Sequence, residues 1–276
     1  MKSIVYILEP ITNLHVGNGD INYNIIDNEV EKDPLTNYPI INSSGVKGAF
    51  RQFIQNNSKI DKKVEIDIFG SEPIEQNKDE KKKPGKLKFY SGECLGLTMR
   101  NEKGNIPYSL VTTKKMLERF IEMCGVMKVK YSLDINNLGE NKSYKVVDND
   151  IIVEEIKIKD NLEDDEIIKL FKEIVPDTYA NLVIMPHDKI KDISLPVVAR
   201  NVLKDGISEN IWYEEYVPHH SLFFVCVSCE EDDEVLNKFN EAVKDEIIQF
   251  GGNASIGYGL TKVTVFKEGG DDNGKK

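Results

Sequence analysis

Two glycine-bearing segments at opposite ends of the chain carry the residue types that hold phosphate. The first, Pro39-Ile40-Ile41-Asn42-Ser43-Ser44-Gly45-Val46-Lys47-Gly48-Ala49-Phe50-Arg51, reads as a short extended stretch running into a serine-capped helix. The opening amides and partial positive charge of such a helix favour an anion, and Lys47 and Arg51, spaced i,i+4, fall on one face beside it. The second, Phe250-Gly251-Gly252-Asn253-Ala254-Ser255-Ile256-Gly257-Tyr258-Gly259-Leu260, sets polar Asn253, Ser255 and Tyr258 among glycines that let main chain approach a ligand closely. Taken singly, one segment is a helix cap and the other a helix stop. Together they describe two backbone cradles for one polyanion.

Acid–base groups lie close to the first cradle in sequence. Asp27 sits in the polar loop 23–33, between the glycine turn His15-Val16-Gly17-Asn18-Gly19 and the Ser43-Ser44 helix. A carboxylate there is able to bind a divalent ion beside a phosphate or to take the proton of a 2'-hydroxyl; a local turn is its other reading. Asp20, Glu29, Glu31 and Asp33 are neighbours, so the loop by itself singles out none of them. His15 either serves a reacting phosphate as an acid or hydrogen-bonds the loop. Glu214 and Glu215, which follow Trp212, either assist the site or form salt bridges. Cys226-Val227-Ser228-Cys229 has C-x-x-C spacing within an apolar alternating run, where residues three apart point to opposite faces, so one strand cannot chelate zinc with the pair and the spacing argues against a zinc or redox site.

The elements that must position these groups follow from periodicity. Lys2 to Glu9 alternates with both faces apolar, a central strand. The helix after Ser44 buries Val46, Ala49, Phe50, Phe53 and Ile54, and strand, loop and helix together open a ferredoxin-like unit. Residues 71–86 are charged and poor in apolar groups, which predicts a mobile excursion. A strand over Lys86 to Leu97 and a helix over Thr113 to Cys124 follow. An inserted lobe, about 125–180, holds strands at Tyr144 to Val147 and Ile151 to Ile158 and a helix at Glu163 to Val175. Val183 to Pro218 suits an extended arm leaving the core. Ser221 to Ser228 is a strand, Val235 to Phe250 a helix burying Leu236, Phe239, Val243 and Ile247, and Thr261 to Phe266 the closing strand. A disordered tail is expected over 267–276. The C-terminal glycine loop thus follows a helix and precedes a strand, the reverse of a dinucleotide fingerprint.

At 276 residues the chain can bury a full core as one domain, 1–266, with insertions. The net charge of -11 opposes stand-alone binding to nucleic acid, but residues 1–130 carry 20 Lys and Arg against 17 Asp and Glu, whereas 131–276 carry 16 against 30. The first half can therefore form a basic groove while the second faces solvent or a protein neighbour. Four cysteines without framework spacing, and no signal peptide or apolar run of membrane-spanning length, lead us to expect a cytoplasmic protein without membrane partners.

The two cradles have the form of the "PxIPGSSLKGxxR" and "GxxxxIGxG" segments of the RAMP superfamily of CRISPR effector proteins, which this chain resembles. His15 to Gly19 is similar to the family's early glycine turn, Ile68-Phe69-Gly70 to its "FG" step, and Ile211-Trp212-Tyr213-Glu214-Glu215-Tyr216-Val217-Pro218 to a stretch of the repeated backbone subunit of type III-B (Cmr) complexes. The resemblance implies an α+β, RRM-like core with a thumb hairpin at about 186–212. It implies copies stacked head to tail along crRNA beside other Cmr subunits, with a complementary target RNA cut at regular intervals where the thumb displaces a base pair. In that picture Asp27 is the cleaving aspartate, served by a divalent cation, Mg or Mn. Gly17, Asn18, Gly19, Ser43, Ser44, Gly45, Lys47, Gly48, Arg51, Gly251, Gly252, Asn253, Ser255, Gly257, Tyr258 and Gly259 hold RNA.

Overall fold

A strand with apolar side chains on both faces must be covered on both, and Lys2–Pro10 is: Val5, Tyr6 and Leu8 are fully buried. The computed structural model describes residues 1–17, 19, 25–57, 60–71, 83–146, 150–191, 193–205, 207–230 and 233–270. In chain order the first half gives β1 (Lys2–Pro10), β2 (Ile40–Ile41), α1 (Ser43–Asn57), α2 (Lys62–Phe69), β3 (Leu87–Phe89), β4 (Gly92–Lys103), β5 (Tyr108–Thr112) and α3 (Lys114–Val126). The second gives β6 (Tyr144–Lys145), β7 (Ile151–Val153), β8 (Ile156–Ile158), β9 (Asp160–Asn161), α4 (Asp165–Ile174), β10 (Leu182–Ile184), α5 (His187–Ile190), β11 (Val197–Lys204), β12 (Ile207–Glu215), β13 (Leu222–Cys229), α6 (Asp233–Val243), β14 (Ile247–Gln249) and β15 (Leu260–Gly269).

The main sheet runs β14-β15-β1-β13-β4-β5-β10-β6-β9. Its centre, β15-β1-β13-β4, is antiparallel, with Tyr6 opposite Val225 on one side and Val265 on the other. One face of β1 and β13 (Tyr6, Leu8, Phe223, Val225) packs on α1, α2 and α6 through Phe50, Phe69 and Phe239. The opposite face (Val5, Ile7, Phe224, Cys226) packs on α3 and α4 through Phe120 and Phe171. Cys226 and Cys229 belong to opposite faces, as the alternation required, and burial pushes the Cys226 thiol up to about 12, far from the thiolate a metal needs. The chain is thus a mixed α+β fold. Among the described residues no helix is long and apolar enough to cross a membrane.

Several boundaries differ from the sequence expectation, each for a local reason. The helix expected over Val235 to Phe250 stops at Val243, because Asp245 takes positive φ (59°) and the chain returns as β14, leaving Ile247 exposed. The glycine loop therefore follows a strand; it still leads into a strand, so the dinucleotide geometry is absent. Ile151 to Ile158 is not one strand but the hairpin β7–β8, turned by Glu154 and Glu155 at φ 43° and 67°. Lys86 to Leu97 breaks between β3 and β4, with Tyr90 N–H donating to the Cys226 carbonyl (3.1 Å). β15 extends to Gly269, so residues 267–269 are strand rather than tail. Residues 72–82 and 271–276, Asp20 and Asn18 lie outside the described residues.

The arm is shorter than 186–212 and shifted. Residues 187–190 form α5, and the hairpin proper is β11–β12, a separate two-stranded sheet turned at Asp205 (φ 52°) with Arg200 opposite Trp212. The lobe is continuous with the core: β6 and β10 extend the main sheet and β7 pairs with β4.

Phe50 organises the helical face next to the site. Its ring meets Phe239 at 5.2 Å, Phe250 at 5.5 Å, Phe89 at 6.2 Å and Tyr6 at 6.3 Å between centroids. Replacing it with alanine (F50A) is expected to lower unfolding free energy by about 3–5 kcal/mol, read by urea denaturation; a loss under ~1 kcal/mol would mean that α1 is held by other contacts.

Candidate functional site

The site is assembled by backbone pairing between segments far apart in sequence. Residues 11–17 leave β1 as an irregular strand that is paired on both sides. Leu14 exchanges hydrogen bonds with Val217 (2.9 and 2.8 Å), while the Asn13 and His15 carbonyls accept from Gly259 and Gly252 (both 2.8 Å). Gly17 bridges Val30, and Glu31 N–H donates to the Val16 carbonyl (2.8 Å). Ile40 N–H donates in turn to the Glu31 carbonyl (3.0 Å), and Ile40 leads through Asn42 into α1. Glycine loop, glycine turn, Asp27 loop and helix start are therefore neighbours on one ladder. The Phe50–Phe250 contact closes the arrangement from beneath.

Two glycines are required by this packing. A Cβ on Gly251 (φ 69°) would sit 2.3 Å from the His15 carbonyl oxygen, and one on Gly259 (φ 80°) 2.0 Å from that of Phe250. Between them Asn253 adopts the left-handed conformation (φ 62°) and a 3-10 turn spans Ala254–Ile256, with Ser255 and Gly257 exposed. At the other cradle Ser43, Ser44, Gly45 and Gly48 are exposed along α1. Gly17, Gly19 and Gly252 are exposed as well. Lys47 is half-buried, and that burial, with Arg51 close by, lowers its pKa.

Arg51 does something other than the sequence expectation. Its Nη2 donates to the carbonyls of Phe69 (2.9 Å) and Gly70 (3.0 Å) at the end of α2, and its guanidinium lies 5.3 Å from the Phe69 ring centre. It ties α1 to α2 by capping a helix C-terminus rather than pairing with Lys47 on a shared anion.

At the centre stand His15, Glu214 and Glu215, all buried (8 %, 4 % and 2 % exposed). His15 Nδ1 donates to the Glu215 carbonyl (2.7 Å), so in the neutral ring Nε2 carries the lone pair, 3.7 Å from Glu214 Oε1. Glu214 also accepts from the Asn253 side-chain amide and from Arg200 Nε (2.9 Å). Glu215 accepts from Val30 N–H (3.0 Å) and pairs with Lys32 (2.9 Å). Both glutamates form salt bridges; each ties the hairpin base to a different loop of the site.

Asp27 lies at the rim, exposed, where its loop lies against β12. Its backbone N–H donates to the Tyr213 carbonyl (3.0 Å) and its Oδ2 accepts from Tyr213 N–H (2.8 Å), while Asn28 and Glu214 form a parallel bridge. One carboxylate oxygen is thus held, on a residue that is exposed. Asp27 is a single carboxylate, and among the described residues no group of three His, Cys, Asp or Glu has metal-holding geometry. Among the described residues, then, the side chains do not compose a resident divalent-cation site.

Arg200 was not singled out from the sequence. It pairs with Glu214 diagonally across the hairpin, and its guanidinium lies 4.9 Å from the centre of the Tyr258 ring in the glycine loop. Hairpin register would have exposed the pairing, but only once the turn at Asp205 was located.

A family model described as the RAMP superfamily matches residues 7–262. The chain is 27% identical over 294 residues to the CRISPR system Cmr endoribonuclease Cmr4 of Pyrococcus furiosus, covering 96% of each. In fold it is similar to oligomeric Cmr4 from Pyrococcus furiosus (TM-score 0.75, 24% identity, covering 97% of this chain and 99% of that one). It is also similar to a chain of the type III-B Cmr-beta complex bound to cognate target RNA (TM-score 0.78, 19% identity, covering 95% and 96%). With the two glycine cradles on one ladder and the family's sequence pattern running through nearly the whole fold, the chain belongs to the RAMP superfamily.

Proposed function

We propose that this chain is the repeated crRNA-binding backbone subunit of a type III-B effector complex and cleaves the complementary target RNA endonucleolytically. The observation that carries the reading is the ladder that makes the glycine loop, the glycine turn and the start of α1 neighbours, with Asp27 at its rim. The similar Pyrococcus furiosus protein is named an endoribonuclease of the Cmr system, and similar folds occur as oligomeric Cmr4 and in a target-RNA-bound Cmr assembly. In this reading β15-β1-β13-β4 with α1 and α6 is the RRM-like, ferredoxin-like core and β11–β12 the thumb. Copies stack head to tail along the guide with other Cmr subunits, in the cytoplasm.

The exposed backbone of the two cradles and Lys47 hold ribose-phosphate, apart from the Gly252 and Gly259 amides that already donate to His15 and Asn13, and base pairing with the guide reads sequence. Asp27 accepts the 2'-hydroxyl proton of the target; the 2'-oxygen attacks the adjacent phosphorus, and the bond to the 5'-oxygen breaks. That oxygen leaves with a proton supplied by His15 as the acid, beside Glu214 (3.7 Å). The products are a cyclic phosphate and a 5'-hydroxyl. Glu215 acts through position, fixing the Asp27 loop by way of Val30 and Lys32.

Because Asp27 also supports the hairpin, D27N is the discriminating variant: its amide oxygen still accepts from Tyr213 N–H while the charge is gone. In the reconstituted complex, target cleavage should fall by roughly 10²-fold or more with guide binding and thermal stability unchanged. Unaltered cleavage would remove Asp27 from the mechanism. For the cradle, K47A should weaken guide binding equally across sequences and flatten the log–log salt dependence by about one. R51A should instead lower stability, since its guanidinium already serves α2; an R51A protein of native stability with a flattened slope would return Arg51 to the RNA.

A further inference from the structure

The residue that fastens Asp27 is bracketed by one side chain. Tyr213 bonds Asp27 through both its backbone groups, and its two neighbours in β12 are partners of Arg200: Trp212 lies directly across the ribbon, and Glu214 accepts from Arg200 Nε (2.9 Å). Opposed and diagonal residues on one face of an antiparallel pair lie within side-chain reach. Arg200 therefore meets β12 on either side of the point where Asp27 is attached.

Its far end reaches the other half of the site. The guanidinium lies 4.9 Å from the centre of the Tyr258 ring in the glycine loop. Tyr258 is fixed in turn: its ring meets Tyr216 edge-on at 6.0 Å, and its carbonyl accepts from Gln249 Nε2 (2.8 Å). Glu214, which Arg200 holds, also accepts from Asn253 of the same loop.

Stability does not account for an arginine here. Its Nη2 is buried without a hydrogen-bond partner among the described residues, and a buried donor left unpaired is destabilising. A lysine would reach Glu214 without burying that second nitrogen; what it would lose is the flat cation against Tyr258. We infer that Arg200 is a positioning residue, which sets the place of the Tyr213–Asp27 attachment relative to the glycine loop by bridging Glu214 and Tyr258. It acts through Tyr213 and touches no reacting atom. The inference rests on the cleavage reading for what is positioned, but not for the bridge itself, which the chain carries without RNA.

Trp212, the only tryptophan of the chain, reports on the bridge directly because it sits opposite Arg200. R200K removes the planar cation and Y258L the ring beneath it. In the intact chain each should raise the acrylamide quenching constant of Trp212 by about twofold, and the double variant should go no further than either alone, since both delete one contact. The melting temperature of R200K should stay within about 3 °C of the parent. In the reconstituted complex, R200K should lower the single-turnover rate constant for target cleavage roughly tenfold, with the target concentration at half-maximal rate unchanged. Cleavage by R200K at the parental rate, or a loss that follows a lowered melting temperature, would overturn the positioning role. Unchanged Trp212 quenching in both variants would overturn the bridge and leave the cleavage reading standing. Increased quenching in both, with a parent complex that does not cut target RNA, would support the bridge and overturn the ribonuclease reading.

Discussion

The arrangement depends on how a single residue is held on two sides. The backbone carbonyl of His15 accepts from Gly252, and its ring donates to the carbonyl of Glu215, so one peptide and its side chain pin the C-terminal glycine loop and the hairpin base to the same irregular strand. That close approach is possible only because position 251 has no side chain. Backbone pairing carries most of the remaining order: Leu14 with Val217, Gly17 with Val30, Lys32 with Pro39. Short-range ladder bonds of this kind satisfy main-chain groups that would otherwise be buried unpaired, and so fix loop positions without regular secondary structure.

Around that pin sit two buried carboxylates with different partners. Glu214 faces Arg200, Asn253 and His15, whereas Glu215 faces Lys32 and Val30. Buried pairs of this type contribute little net stability, since desolvation offsets attraction, but removing one partner strands a charge. Their consequence here is geometric. The hairpin has its own two-stranded sheet, and these side chains determine how it sits on the core.

The sequence made the core strands and the glycine cradles legible because their signals are local. Both faces of Lys2–Pro10 are apolar, Thr113 accepts from Met116 N–H as a helix cap, and Val46, Phe50 and Ile54 recur at helical spacing. Local signals failed where the backbone took left-handed conformations in residues that do not advertise them. Glu154 and Glu155 turn a hairpin without glycine or asparagine, and Asp245 ends α6 within an apolar pattern that continues to Phe250. The role of Arg51 was hidden for a different reason: its acceptors, Phe69 and Gly70, are carbonyls of a second helix, and no spacing rule within α1 reveals them. Arg200 likewise gained meaning only once register was known.

Asp27 is fastened to Tyr213 through both its amide and its carboxylate, and Tyr213 belongs to β12 near the hairpin base. The reference frame of the acid is therefore the projecting ribbon and not the sheet beneath it. Any tilt of that ribbon relative to the core carries the Asp27 carboxylate along, so the pose of the hairpin and the position of the carboxylate are one coordinate.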